Sequence, residues 1–142
     1  LNCPEIRVTG RTAGHADALV AEVNVPSLYA VPWEDRHHWI STTGLIVNAS
    51  AGGMTGKPEL DVSLATAIPG TFIYDLVYTP RRTGLLKKAE MHGLPHIGGL
   101  EMLIAQARPS FKLFYGERPP DHLDPTDVLL RALASAERSR AA

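Results

Sequence analysis

Gly44-Leu45-Ile46-Val47-Asn48 and Thr71-Phe72-Ile73-Tyr74-Asp75-Leu76-Val77-Tyr78 are the two stretches that decide the fold of this chain. Each is a near-continuous apolar run with little polar alternation, which suits a strand of a parallel sheet covered on both faces. The first run stops abruptly at a polar, Gly-rich turn, Ala49 to Gly56. Between the two runs, Asp61 to Ile68 is expected to form a short helix, with Pro69-Gly70 as its stop signal.

The same alternation extends in both directions. Upstream, Glu5 to Val8 is a short β-type run, and Ala16, Leu19, Val20 and Val23 recur at helical spacing between Gly14 and Val25. Leu28 to Val31, bounded by Pro26 and Pro32, is a second short strand, and Trp33 to Thr43 is a polar surface helix or loop. Downstream, Thr83 can N-cap a helix from Gly84 to His92, and Gly93 stands where a C-terminal glycine belongs. Pro95 to Gly98 is a minimal strand. Leu100 to Phe114 follows as an amphipathic helix that Pro109 can kink. A last helix is expected over Thr126 to Arg138, fraying from Ser135 to Ala142. Strands alternating with helices imply an α/β class built of βαβ units. In such a sheet a ligand lies outside the carboxyl ends of the strands.

Composition narrows the function classes. The chain has 142 residues, 44% of them apolar, and 14 Lys and Arg stand against 15 Asp and Glu. No basic excess points to a nucleic-acid partner. No stretch approaches the roughly 18 apolar residues of a membrane span. Leu1-Asn2-Cys3-Pro4-Glu5 lacks the pattern of a secretory signal. The lone Cys3 cannot form an internal disulfide, which fits a reducing compartment. A metal site is not expected. His37 and His38 point about 100° apart on a helix, and Gly93 and Pro95 break the helix that would align His92 with His96. A start at Leu rather than Met fits a processed or partial product.

Four motifs occur in order: Gly10-Arg11-Thr12 after the first strand, Asn48-Ala49-Ser50-Ala51-Gly52-Gly53-Met54, Tyr74-Asp75-Leu76-Val77-Tyr78-Thr79-Pro80-Arg81-Arg82-Thr83-Gly84-Leu85-Leu86, and Gly98-Gly99-Leu100-Glu101-Met102-Leu103-Ile104-Ala105-Gln106-Ala107. Each has a plain structural alternative: a solvated turn for Arg11, a strand-to-helix turn for the Gly-rich loop, an exposed helical position for Gln106. An Asp inside an apolar strand requires hydrogen-bond partners. Asp75 is expected to tie down backbone amides of the next loop rather than to act in catalysis.

Together, from Ile6 to about Gly116, these motifs resemble the C-terminal, NADP-binding portion of the shikimate dehydrogenases. The family has Asn-Arg-Thr at the first turn, so Gly10 departs from its pattern while Arg11 and Thr12 keep it, and His15 stands where a second basic residue is common. Ser50 replaces a Thr, Gly98 an Asp, and Glu101 a frequent Gly. The resemblance implies a Rossmann-like, doubly wound parallel sheet that lacks its first strand, over 1–98, followed by C-terminal helices over 99–142 that pack toward a substrate domain. It implies NADP as cofactor, and Arg suits the 2′-phosphate where Asp or Glu would hold a 2′-hydroxyl. Arg11, Thr12, Ser50, Leu76, Gly99 and Met102 would bind it. Tyr78 and Gln106 would meet shikimate or 3-dehydroshikimate, and the Gln amide both donates and accepts.

The family's Gly-rich phosphate loop and its N-terminal substrate domain, with the catalytic Lys and Asp, are absent from these residues. Lys57, Lys87, Lys88 and Lys112 match no catalytic position. No catalytic residue is therefore expected in this chain, which would be inactive alone and would need an N-terminal segment or a second chain. Two strands flanking the missing one would present open, apolar edges. Cytoplasmic localisation rests on the lack of targeting signals and on the resemblance. The alternatives are a non-catalytic nucleotide-binding or interaction remnant, and a quinate-accepting relative.

Overall fold

The computed structural model describes residues 3–120 and 122–141. In chain order the elements are β1 (Ile6–Val8), α1 (His15–Val23), β2 (Leu28–Ala30), a 3-10 helical stretch (Trp33–Thr42), β3 (Leu45–Asn48), β4 (Phe72–Asp75), α2 (Gly84–Met91), β5 (His96–Ile97), α3 (Gly99–Tyr115) and α4 (Thr126–Ala141). They form two compact units: residues up to Thr43 together with Val62–Ile68, and Gly44–Asp61 together with residues from Pro69 onward. The α/β class with parallel strands expected above is the observed one.

In the first unit β1 and β2 pair in parallel, Ile6 opposite Leu28 and Val8 opposite Ala30. The intervening α1 makes the crossover that parallel pairing requires. Its ends are set by left-handed residues, Gly14 (φ 79°) before it and Asn24 (φ 48°) after it, and the Asn24 N–H donates to Val20 O. The polar stretch Trp33–Thr42 is held through its tryptophans by one cation from β1 and one of its own. Arg7 lies over the Trp39 ring at 4.2 Å and pairs with Glu5 at 2.7 Å. Arg36 lies over Trp33 at 4.2 Å while donating to the Trp33 carbonyl.

The helix expected over Asp61 to Ile68 does not form. The segment is extended with one turn, and Val62 and Leu64 are both buried while Ser63 between them is exposed. That period of two belongs to extended chain, not to a helix. Ser63 supplies the competing bonds: its N–H donates to His37 Nε2 at 3.2 Å, and its hydroxyl accepts the Ala65 N–H at 3.3 Å. Short polar side chains that bond nearby backbone in this way disfavour helix.

The second unit is the parallel sheet β3-β4-β5, with Leu45 opposite Phe72, Asn48 opposite Asp75, and Ile73 opposite His96. Its core gathers Ile73, Val77, Leu85, Leu86, Ala89, Leu94 and Leu100. Strand β4 ends at Asp75 rather than continuing to Tyr78, because the Asp75 carboxyl accepts the Val77 N–H and turns the chain. Thr83 caps α2 as expected, accepting the Leu86 N–H. Gly93 (φ 64°) closes α2, with its N–H on Glu90 O and the Leu94 N–H on Ala89 O, the nested pair of a glycine-terminated helix. Pro109 sits inside α3 without ending it, and α4 stays helical through Ala141, past the fraying expected from Ser135.

No described strand pairs with the free edge of β1 or with that of β3. On β3, Leu45 and Val47 point to one face and are 54% and 47% exposed. An apolar strand with an open edge is a template for pairing with another chain. The 142-residue chain should therefore show concentration-dependent self-association in sedimentation velocity across the micromolar range. Val47→Lys should suppress it. Monomeric behaviour of the unsubstituted chain at every concentration would contradict this account of the edge.

Candidate functional site

Parallel strands β3, β4 and β5 bring three loops to one edge of the second unit, and a buried polar network sets their positions. Asp75, with 0% of its surface exposed, is at the centre. One carboxyl oxygen accepts the Asn48 side-chain amide at 2.9 Å and the Val77 N–H at 3.0 Å; the other accepts the Thr83 hydroxyl at 2.5 Å. Asn48 also donates to Gly52 O at 3.0 Å, and its carbonyl accepts both the N–H and the hydroxyl of Ser50. The Ser50 hydroxyl in turn accepts the Gly52 N–H at 3.1 Å. Thus the loop after β3, the exit of β4 and the start of α2 share one set of bonds. The expectation that Asp75 ties down backbone of the following loop matches this geometry.

The residues expected to bind ligands are placed as follows. Ser50 lies in the loop after β3, exposed, and is held by Asn48. Leu76 follows β4, half-buried, with its N–H on Asn48 O at 3.0 Å. Gly99 is the buried first residue of α3, and its N–H reaches Val77 O at 3.3 Å. A Cβ there would collide with the Leu76 carbonyl oxygen and lie 2.8 Å from the Val77 carbonyl carbon, so only glycine admits this approach. The structure therefore brings Ser50, Leu76 and Gly99 to the carboxyl ends of neighbouring strands. Met102, half-buried, lies one helical turn beyond Gly99 and Gln106, exposed, about two turns beyond it. Tyr78 is 43% exposed. Nothing local in the sequence joins Asn48 and Thr83 to Asp75, which stand 27 and 8 residues away from it. The polar residue inside each apolar run was the available signal.

Arg11 and Thr12 belong to the first unit. Both are exposed and line a concavity of about 260 Å³ between the β1–α1 turn and the segment after β2, where Asp17, Trp33 and Glu34 also lie. Among the described residues no ion pair engages Arg11.

A second concavity, of about 430 Å³, lies in the second unit beside β5. Its charges neutralise one another: Arg82 pairs with Glu90, and Arg81 approaches Glu101 at 3.9 Å. The hydrogen bond from Arg82 holds the Glu90 carboxyl below its ordinary range. Among the described residues no three His, Cys, Asp or Glu side chains cluster as a metal site would require. No described helix is long and apolar enough to cross a membrane.

Known proteins are similar to this chain in sequence and in fold. The shikimate dehydrogenase (NADP(+)) of Sphingopyxis alaskensis is 51% identical over 92 residues, which are 65% of this chain and 32% of that protein. The enzyme of the same name from Ruegeria sp. is 39% identical over 127 residues, 89% of this chain and 46% of that protein. This chain belongs to the shikimate dehydrogenase family. It spans 32% to 46% of the length of these curated relatives. No family model matches it. Among solved structures, shikimate 5-dehydrogenase from Thermus thermophilus, in complex with NADP(H) and shikimate, is 32% identical with a TM-score of 0.68, over 82% of this chain and 42% of that one. Quinate dehydrogenase from Corynebacterium glutamicum, in complex with NAD, is 27% identical with a TM-score of 0.73, over 82% and 43%.

Two substitutions test this scaffold by urea unfolding. Asp75→Ala strands three buried donors and should cost about 3 kcal/mol or more; a loss below about 0.5 kcal/mol would remove the network from its central role. Gly99→Ala should destabilise by about 2 kcal/mol, since backbone rather than a flexible side chain must give way.

Proposed function

We propose that this chain is the cofactor-binding part of an NADP-dependent shikimate dehydrogenase, interconverting 3-dehydroshikimate and shikimate in the cytoplasm as a step of aromatic amino-acid biosynthesis. The observation that carries this reading is the shared carboxyl edge of β3, β4 and β5. There the Asn48–Asp75–Thr83 network holds Ser50 and Leu76, and Gly99 lets the start of α3 close against the Leu76 and Val77 backbone. That edge is where a doubly wound sheet takes its ligand. The residues fit a dinucleotide: the Arg11 guanidinium, which no ion pair engages among the described residues, suits a phosphate, and Ser50 and Leu76 stand together at the strand ends.

In this reading Arg11 and Thr12 hold the adenosine 2′-phosphate, while Ser50, Leu76, Gly99 and Met102 frame the nicotinamide. When bound, the nicotinamide supplies or accepts the hydride, and the protein's part is to orient it. Tyr78 and Gln106 hold substrate oxygens through a hydroxyl and an amide. Proton transfer at the reacting hydroxyl falls to groups outside this chain, in a substrate domain carried by an upstream segment or a second polypeptide. Residues 1–98 form the cofactor-binding part, and helices from 99 to 142 pack toward the substrate domain. Leu113 and Phe114, 86% and 83% exposed at the end of α3, support that role. A quinate-accepting enzyme is the second reading, favoured by the likeness to the Corynebacterium protein.

Isothermal titration of NADPH into the chain should give one site, weakened about 10- to 100-fold by Arg11→Ala, as expected for a lost charge-assisted contact. Joined to a substrate domain, the chain should reduce NADP with shikimate, and Tyr78→Phe and Gln106→Ala should raise KM for shikimate while sparing KM for NADP. Faster turnover of quinate than of shikimate would favour the second reading. Absence of any nucleotide binding would leave a non-catalytic remnant.

A further inference from the structure

The Arg11 concavity bears on which nucleotide the protein takes, an inference that rests on the cofactor reading above. Among the described residues Arg11 is the one Lys or Arg lining it, and the carboxylates of Asp17 and Glu34 line it too. The local balance of these side chains is therefore negative. His15, the next basic residue, is not part of the lining. Asp17 stands in the first turn of α1, so its own charge already faces the positive end of that helix, and Gly14 at the N-cap gives no side-chain cap. Glu34 stands in the first turn of the 3-10 stretch that follows β2.

These groups answer two different chemistries. A guanidinium recognises a 2′-phosphate, whereas a carboxylate accepts the hydrogen of a free ribose 2′-hydroxyl and repels a phosphate. Selectivity is the difference between the two affinities, and a site that supplies an attractive partner for each, with a repulsive one for the phosphate, separates them weakly. The Thr12 hydroxyl donates equally well to either.

We propose that this concavity accepts the adenosine end of a dinucleotide with or without the 2′-phosphate, and that Asp17 and Glu34 are the residues that keep its preference for NADP over NAD small. Arg11 meets the phosphate when it is present, and a carboxylate meets the 2′-hydroxyl when it is not.

The test is a pair of calorimetric titrations of the 142-residue chain, with 2′,5′-ADP and with 5′-AMP, at one fixed ionic strength. Affinities within about tenfold of each other are expected. Asp17→Asn and Glu34→Gln, taken singly, should each move the ratio toward 2′,5′-ADP by about three- to tenfold, the size of one partly solvated charge–charge contact. Arg11→Gln should move it the other way. Tight binding of 2′,5′-ADP with a preference above about 100-fold, or a ratio that neither carboxylate variant changes, overturns the inference and leaves the NADP reading intact. Binding of neither nucleotide overturns both. A single folded carboxylate variant that shifts the ratio is enough to sustain the proposal.

Discussion

A fully buried carboxyl group, Asp75, is the constraint on which the second unit depends. Its partners among the described residues are neutral donors drawn from three separate segments: an amide from the end of β3, a backbone N–H two residues on, and the hydroxyl that caps α2. Moving such a group out of water is costly, and only a complete set of donors offsets the cost. Half a network would be worse than an apolar residue. The three segments are therefore fixed together, and register in the sheet follows from the same bonds, since Asn48 and Asp75 are directly opposite across β3 and β4.

The candidate site is arranged around that point. Ser50 is held by the Asn48 that bonds Asp75, and the Leu76 N–H bonds the Asn48 carbonyl. The Thr83 hydroxyl both donates to Asp75 and accepts from the first turn of α2. The last element, α3, is brought in through the missing side chain of Gly99, which permits a backbone approach no other residue allows. A parallel sheet takes its ligands outside the carboxyl ends of its strands, where these loops gather. The chain covers less than half the length of its curated relatives.

In the first unit the deciding quantity is charge. One guanidinium and two carboxylates share a concavity with small walls, Gly10, Ala13 and Gly14 among them. The family's pattern places an Asn where Gly10 stands, and a Cβ at Gly10 would meet open space. The site thus has room on that side as well as a mixed electrostatic character. Its contents are set by local sequence, because its lining among the described residues comes from positions 10 to 17 and 30 to 34.

By itself the sequence determined the α/β class, the order of its strands and most of its helices, because the apolar runs at 44–48 and 71–78, the Thr83 cap and Gly93 are local signals with local causes. The motif residues, too, could be read in order along the chain. What tertiary structure decided lies where partners are distant in sequence. Val62 and Leu64 take an extended path because Ser63 finds a partner in His37, 26 residues earlier. Strand β4 stops at Asp75 because its carboxyl collects a donor from Asn48, 27 residues away, together with Thr83. Gly99 is needed because backbone from positions 76 and 77 passes against it. Periodicity and capping record what a segment does with its own neighbours; a buried polar group or a close backbone approach depends on which remote atoms arrive beside it, and only the folded chain brings those together.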